Sequence, residues 1–199
     1  MTDLTLDLPY EPPPQRDMRI LDFDMESLAA GFADPAWVPQ KITCIAWSWL
    51  GYDAVNSVIS TQMGFFIPEI RAAMLEQFMP IYEQADMVTG HNLLRHDLPL
   101  LNAECMRLGL AKPKAKLVLD TMRLGKTKGF KKGQDNIGGL LKTQQEKQAM
   151  DYQAWEYAYE DPTWQRVIDR AESDVVMHKE IVSKMRERGW LKAPVVWNP

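Results

Sequence analysis

Cysteine is scarce in this chain: Cys44 and Cys105 are the only two in 199 residues. Two thiols that far apart in sequence make neither a disulfide framework nor a CxxC site, and both read as small buried hydrophobes. Three histidines leave little scope for a histidine-rich zinc centre. No stretch approaches the roughly 18 consecutive apolar residues of a membrane-crossing helix, so no membrane partner is expected. The N-terminus lacks the apolar core of a secretion signal and carries Asp3, Asp7 and Glu11, which makes a cytoplasmic location the expectation. A general excess of positive charge is also missing. With 23 basic and 27 acidic side chains the net charge is −4, which argues against a histone-like nucleic-acid coat but not against a local basic track. The GKTKG at 125–129 lacks the spacing of a phosphate-binding P-loop, so ATP is not an expected ligand.

What is present is an ordinary folded composition, 46% hydrophobic and 25% charged, in a chain long enough for one sizeable core. Pro12, Pro13 and Pro14 mark residues 1–17 as an extended arm, 18–189 as one domain and 190–199 as a tail. MRILDFDM reads as a strand, followed by a loop through Gly31, Pro35 and Pro39. Residues 41–51 and 54–60 read as an antiparallel hairpin, with Trp47 and Trp49 on one face. Pro68 opens a helix carrying Ile70, Met74, Leu75 and Phe78 near helical spacing. ADMVTGHN is a short strand ending at a polar corner, and Leu98, Leu101, Cys105 and Leu108 form the stripe of the next helix. KLVLDTM predicts another strand and QDNIGGLLKT a weaker helix. Trp155, Tyr157 and Tyr159 sit near a further helical stretch, where packing outranks substrate contact. The last long helix is expected to be capped by Asp161, opened by Pro162 and stopped by Gly189. The layout is α/β, with one mixed central sheet flanked by helices.

Asp24 and Glu26 share one strand face, because strand residues two apart point the same way. Asp22 has the same parity but lies deeper in the strand. Paired carboxylates on an otherwise apolar strand repel and are hard to dehydrate, and a divalent cation relieves both problems. A solvated strand end is the competing explanation. Asp97 opens a helix just after the GHN corner, and Asp174 lies one turn after Arg170 and one turn before His178. Strand end and helices could bring Asp24, Glu26, Asp97 and Asp174 together. Oxygen donors without cysteine favour Mg²⁺ or Mn²⁺ over structural zinc.

These segments resemble the DEDD superfamily of 3'→5' exonucleases, whose fold is ribonuclease H-like. DFDMES is similar to the first motif, VTGHNLLRHDLPLL to the second and RVIDRAESDVVMHKEI to the third. LVLDTMRLGK followed by QDNIGGLL is similar to the segment between the last two, so the likeness spans most of 18–187. It implies two-ion hydrolysis at a free 3' end of nucleic acid, single-stranded DNA ahead of RNA, releasing nucleoside 5'-monophosphates. It also admits a polymerase or another replication–repair protein as a partner. On this mapping Asp24, Glu26, Asp97 and Asp174 hold metal, while Asn92, His96 and Arg170 contact substrate or brace the corner. The third motif departs from the family, which has a tyrosine four residues before the last Asp or a histidine five before it. Here those places hold Arg170 and Asp169. Arginine stays protonated and cannot be a general base, leaving three readings: His178 acts in its place, the ions suffice, or the chain binds strands without cutting them.

The −4 total hides an uneven distribution. Residues 112–132 hold Lys112, Lys114, Lys116, Arg123, Lys126, Lys128, Lys131 and Lys132 against Asp120 alone, a net +7 that leaves −11 elsewhere. A solubilising run is one reading. Phosphate contact through Lys126, Lys128, Lys131 and Lys132, with Phe130 stacking on a base, is the other.

Overall fold

The computed structural model describes residues 17–28, 40–60, 67–124, 129, 131–147 and 150–199. Nearly all of the expected N-terminal arm, most of the loop after the first strand, and Lys126, Lys128 and Phe130 lie outside the described residues, as does the Tyr159 side chain.

Strict alternation makes the first strand. In β1 (Ile20–Leu28), Leu21, Phe23 and Met25 point to one side and Asp22, Asp24 and Glu26 to the other. β2 (Lys41–Trp49), apolar or small on both faces, pairs antiparallel with β1 and with β3 (Asn56–Ile59), giving the expected hairpin. β4 (Met87–Gly90) and β5 (Lys116–Asp120) follow in parallel, and β6 (Val195–Trp197) closes the edge antiparallel to β5. The sheet order is β3-β2-β1-β4-β5-β6, so the expected mixed α/β sheet is present. The stretch expected as a C-terminal tail thus contributes an edge strand. It was unreadable as one because three residues give no periodicity.

α1 (Pro68–Gln84) and α2 (Asp97–Arg107) cover one face, packing Met74, Phe78, Tyr82, Leu98 and Leu101 onto Phe23 and Trp47. Phe78 is the hub, with ring centroids 5.5 Å from Phe23 and 5.7 Å from Trp47. Cys44 and Cys105 are both buried and unpaired in disulfides. α3 (Gln134–Leu141), α4 (Tyr152–Glu160) and α5 (Gln165–Glu187) belong to the other face, where α5 runs along β1 and β2. Among the described residues no helix is long and apolar enough to cross a membrane.

The start of α5 corrects the sequence reading. Asp161 does not cap it. Its carboxylate instead accepts both the backbone N–H and the hydroxyl of Thr163 at 2.8 Å, closing a local turn after α4. Buried Trp164, at φ +51°, then turns the chain into a helix that begins at Gln165. The other end agrees with expectation: Gly189, at φ +68°, follows the last turn.

Candidate metal centre

β1 pairs with β4 only through Asp22, so the strand runs past its neighbour over Asp24 and Glu26. The corner this leaves is filled from α2: Asp97 Oδ1 accepts the Met25 N–H at 3.2 Å. Gly90 makes the tight turn possible. A Cβ there would lie 2.7 Å from the Leu93 side chain and 2.8 Å from the Phe23 carbonyl oxygen.

Across the corner, Arg170, Asp174 and His178 form one line on the buried side of α5, four residues apart. Two strand residues advance about 6.6 Å and four helical residues about 6 Å, so an antiparallel strand and helix can stay in step over three positions. They do so here. Asp22 meets His178, Asp24 lies beside Asp174, and Glu26 meets Arg170.

The three positions differ in how charge is resolved. His178 Nδ1 lies 2.8 Å from Asp22 Oδ2 and its Nε2 2.9 Å from Thr121 Oγ1, which in turn contacts His91 Nδ1 at 3.0 Å. Burial raises the Asp22 carboxyl against the opposing pull of His178, and burial pushes the His91 imidazole down to about 4. His178, assigned a catalytic place on sequence grounds, is therefore not brought to the Asp24 cluster. Both ring nitrogens are engaged in the core, because the matching strides put the deeper Asp22 opposite it.

Asp24, Glu26 and Asp174 converge, with ligand oxygens within 4.8 Å of one another. Burial raises Asp24 well above the usual carboxylate range, and Glu26, Asp97 and Asp174 push it further. Burial also lifts Glu26 to about 7, with Arg170 opposing. Asp174 is 2% exposed, and its Oδ1 has no hydrogen-bond partner among the described residues. Its Oδ2 lies 3.0 Å from Lys147 Nζ and 3.3 Å from Arg170 Nε, which is itself 3.5 Å from Glu26 Oε1. The Arg170 guanidinium also sits over the Trp155 ring at 5.9 Å. An orphaned buried carboxylate oxygen beside two more carboxylates, all hard donors, fits a hard divalent cation. Asp97 stands next to this group rather than in it. One oxygen holds the β1 backbone, and the other lies 3.7 Å from His96 Nδ1, a contact that raises His96.

Asn92 occupies a left-handed backbone conformation, φ +70°, at the GHN corner. Its N–H and that of Met122 donate to Asp120 Oδ1, and the Leu94 N–H donates to Oδ2. Asp120 thereby knits the ends of β4 and β5. Asn92 and Lys132 line a cleft of about 480 Å³ there, and Lys131 is exposed nearby in sequence before α3. A second cleft, about 470 Å³, lies against the carboxylate cluster and is lined by Asp135, Lys147, Met150, Asp151 and Arg170.

Sequence reasoning missed two groups here. Lys147 had no signal, since it sits in an irregular stretch and meets Asp174 only through the return of α5. Asp120 did have one: it ends the strand LVLD at a turn, as Asp24 sits near the end of its own strand.

No protein-family model and no curated protein matches the chain. Among solved structures, it is similar to the family B DNA polymerase from the hyperthermophilic archaeon Pyrobaculum calidifontis, with a TM-score of 0.60 at 16% sequence identity. The match covers 88% of this chain and 25% of the polymerase, so this chain spans about a quarter of that protein's length. At that identity the likeness establishes the fold.

Proposed function

We propose that this chain is a metal-dependent 3'→5' exonuclease with a ribonuclease H-like domain that begins at 18 and takes in the β6 edge strand beyond 189, acting in the cytoplasm on nucleic acid with a free 3' end. Single-stranded DNA ranks ahead of RNA, and the products are nucleoside 5'-monophosphates. The observation that carries the reading is the Asp24–Glu26–Asp174 group with its orphaned Asp174 oxygen. The order of the three motifs and the fold shared with a DNA polymerase support it.

Asp24, Glu26 and Asp174 would hold Mg²⁺ or Mn²⁺, two ions on the family pattern, with Asp97 positioning the β1 end and contributing its own charge. Bound there, the ions would lower the pKa of a water and neutralise charge on the phosphodiester. Arg170 cannot take a proton, but its planar fork can hold a phosphate oxygen, and Trp155 beneath it limits its swing. Attack of water in line with the leaving oxygen inverts phosphorus and leaves no covalent protein intermediate. His96 and Asn92 flank the corner where a terminal nucleotide would enter.

A second reading, a strand-binding subunit that does not cut, is favoured by Lys147 and Arg170, whose charges already offset part of the cluster. One assay separates the two. A 5'-labelled DNA or RNA strand incubated with Mg²⁺ or Mn²⁺ should shorten stepwise from its 3' end, and chelator should stop it. A strand that is bound but stays intact at every metal concentration would favour the second reading.

A further inference from the structure

The cleft of about 480 Å³ at the carboxyl ends of β4 and β5 is lined by four cations from four separate segments. Arg95 comes from the corner before α2, Arg123 from just after β5, Lys132 from before α3 and Lys192 from before β6. Convergence of this kind differs from a charged helix face, where neighbours in sequence supply the charge. Among the described residues, Asp120 is the only carboxylate in the lining, and both its oxygens already accept backbone N–H groups from Asn92, Met122 and Leu94. Its single negative charge stands against four positive ones. Arg123 Nη1 donates to the Ala193 carbonyl at 3.1 Å, which ties the Lys192 segment to the rim and leaves other guanidinium donors for a ligand.

We propose that this cleft grips the phosphodiester backbone of a single strand upstream of its 3' terminus, as a site separate from the carboxylate cluster. The inference rests on the exonuclease reading for its choice of polyanion. Four cations converging against one carboxylate favour an anion, and Arg95 and Arg123 can each engage a phosphate through two N–H groups. β1, β4 and β5 run parallel, so their carboxyl ends open on one edge of the sheet. With strands about 4.8 Å apart, the cleft begins one to two strand widths from the Asp24 cluster, along the same edge. A strand whose terminal phosphate reached Asp174 would pass the GHN corner and lay its next phosphates among these cations.

The test uses the full chain and a 5'-fluorescein-labelled single-stranded DNA, read by anisotropy in chelator over a range of salt. The variant R95A/K192A should bind about tenfold more weakly at low salt, and its log K against log salt slope should flatten by about 1.4, or 0.7 per lost contact. The control R166A/R186A, which removes two exposed α5 cations, should match wild type. An unchanged slope in R95A/K192A, or an equal loss in the control, would overturn the cleft. Wild-type trimming with an unchanged R95A/K192A slope would reject the cleft and leave the exonuclease. Strand binding weakened as expected, with no wild-type trimming under Mg²⁺ or Mn²⁺, would support the cleft and reject the exonuclease.

Discussion

Two buried charge clusters lie on opposite faces of the sheet and are resolved in opposite ways. Between α1 and α2, Glu104 is fully buried, yet both oxygens are matched: Oε1 by Arg71 Nε at 2.8 Å and Oε2 by Arg107. Under α5, among the described residues, Asp24, Glu26 and Asp174 meet the cations Lys147 and Arg170, Asp97 adds a fourth carboxylate alongside, and one Asp174 oxygen has no hydrogen-bond partner. A buried carboxylate closed off by its own chain holds elements together. One left undercompensated stores an affinity for something the chain does not supply.

The largest effects should come from breaking each cluster in turn. E104A removes the buried carboxylate that meets Arg71 and Arg107 and should lower unfolding free energy by about 3–5 kcal/mol in urea denaturation. D24A and D174A should instead leave stability near wild type or above it in chelator, since each relieves carboxylate repulsion. The same two variants should lose trimming by more than about a hundredfold, beyond what removing a mere supporting contact does. D174A that cuts normally, or that unfolds as E104A does, would erase the distinction.

A pH titration sharpens it further. Glu26 titrates near 7 in the folded chain against 4.5 when unfolded. Between those values the folded chain keeps a proton that the unfolded chain has released, so stability falls as pH rises through the window and levels off above it. His91, pushed down to about 4, contributes a rise over the lower part of the same window. The difference in melting temperature between the metal-free protein and E26Q therefore isolates Glu26 and should fall from about pH 4.5 to 7. A difference that rises over that range would contradict the buried, undercompensated site.

The smallest effect concerns Lys147. If its ammonium competes with a bound cation for Asp174, then K147A should tighten Mn²⁺ binding about two- to fivefold by calorimetry, the scale of a partly exposed pair. Weaker binding in K147A would make the lysine a helper rather than a competitor.

Much of this was legible in residue order. The alternation of β1, the hairpin, the helical stripes and the end of α5 follow from local periodicity and from glycine and proline placement. Grouping Asp24, Glu26, Asp97 and Asp174 was an expectation from parity and motif spacing; Asp24, Glu26 and Asp174 converge, while Asp97 stands beside them on the β1 backbone. The beginning of α5 was misread because Asp161 and Pro162 look like a helix start, while Thr163 offers Asp161 a closer pair of donors. His178 was misplaced because nothing local says which strand carboxylate lies opposite which helical turn.

By itself, then, the sequence determined which side chains share a face and that acidic and basic charge are segregated along the chain. Those properties depend on periods of two and 3.6 residues and on composition, which any short window carries. Tertiary structure decided the partners: His178 to Asp22, Lys147 and Arg170 to the carboxylates, and Arg95, Arg123, Lys132 and Lys192 to one cleft. Apart from Arg170 and Asp174, one turn apart on α5, these join segments well separated in the chain, so strand order and the stride of α5 against β1 set them. The −4 total therefore conceals a closed ion-pair cluster, an open acidic corner and a basic cleft, whose members only folding brings together.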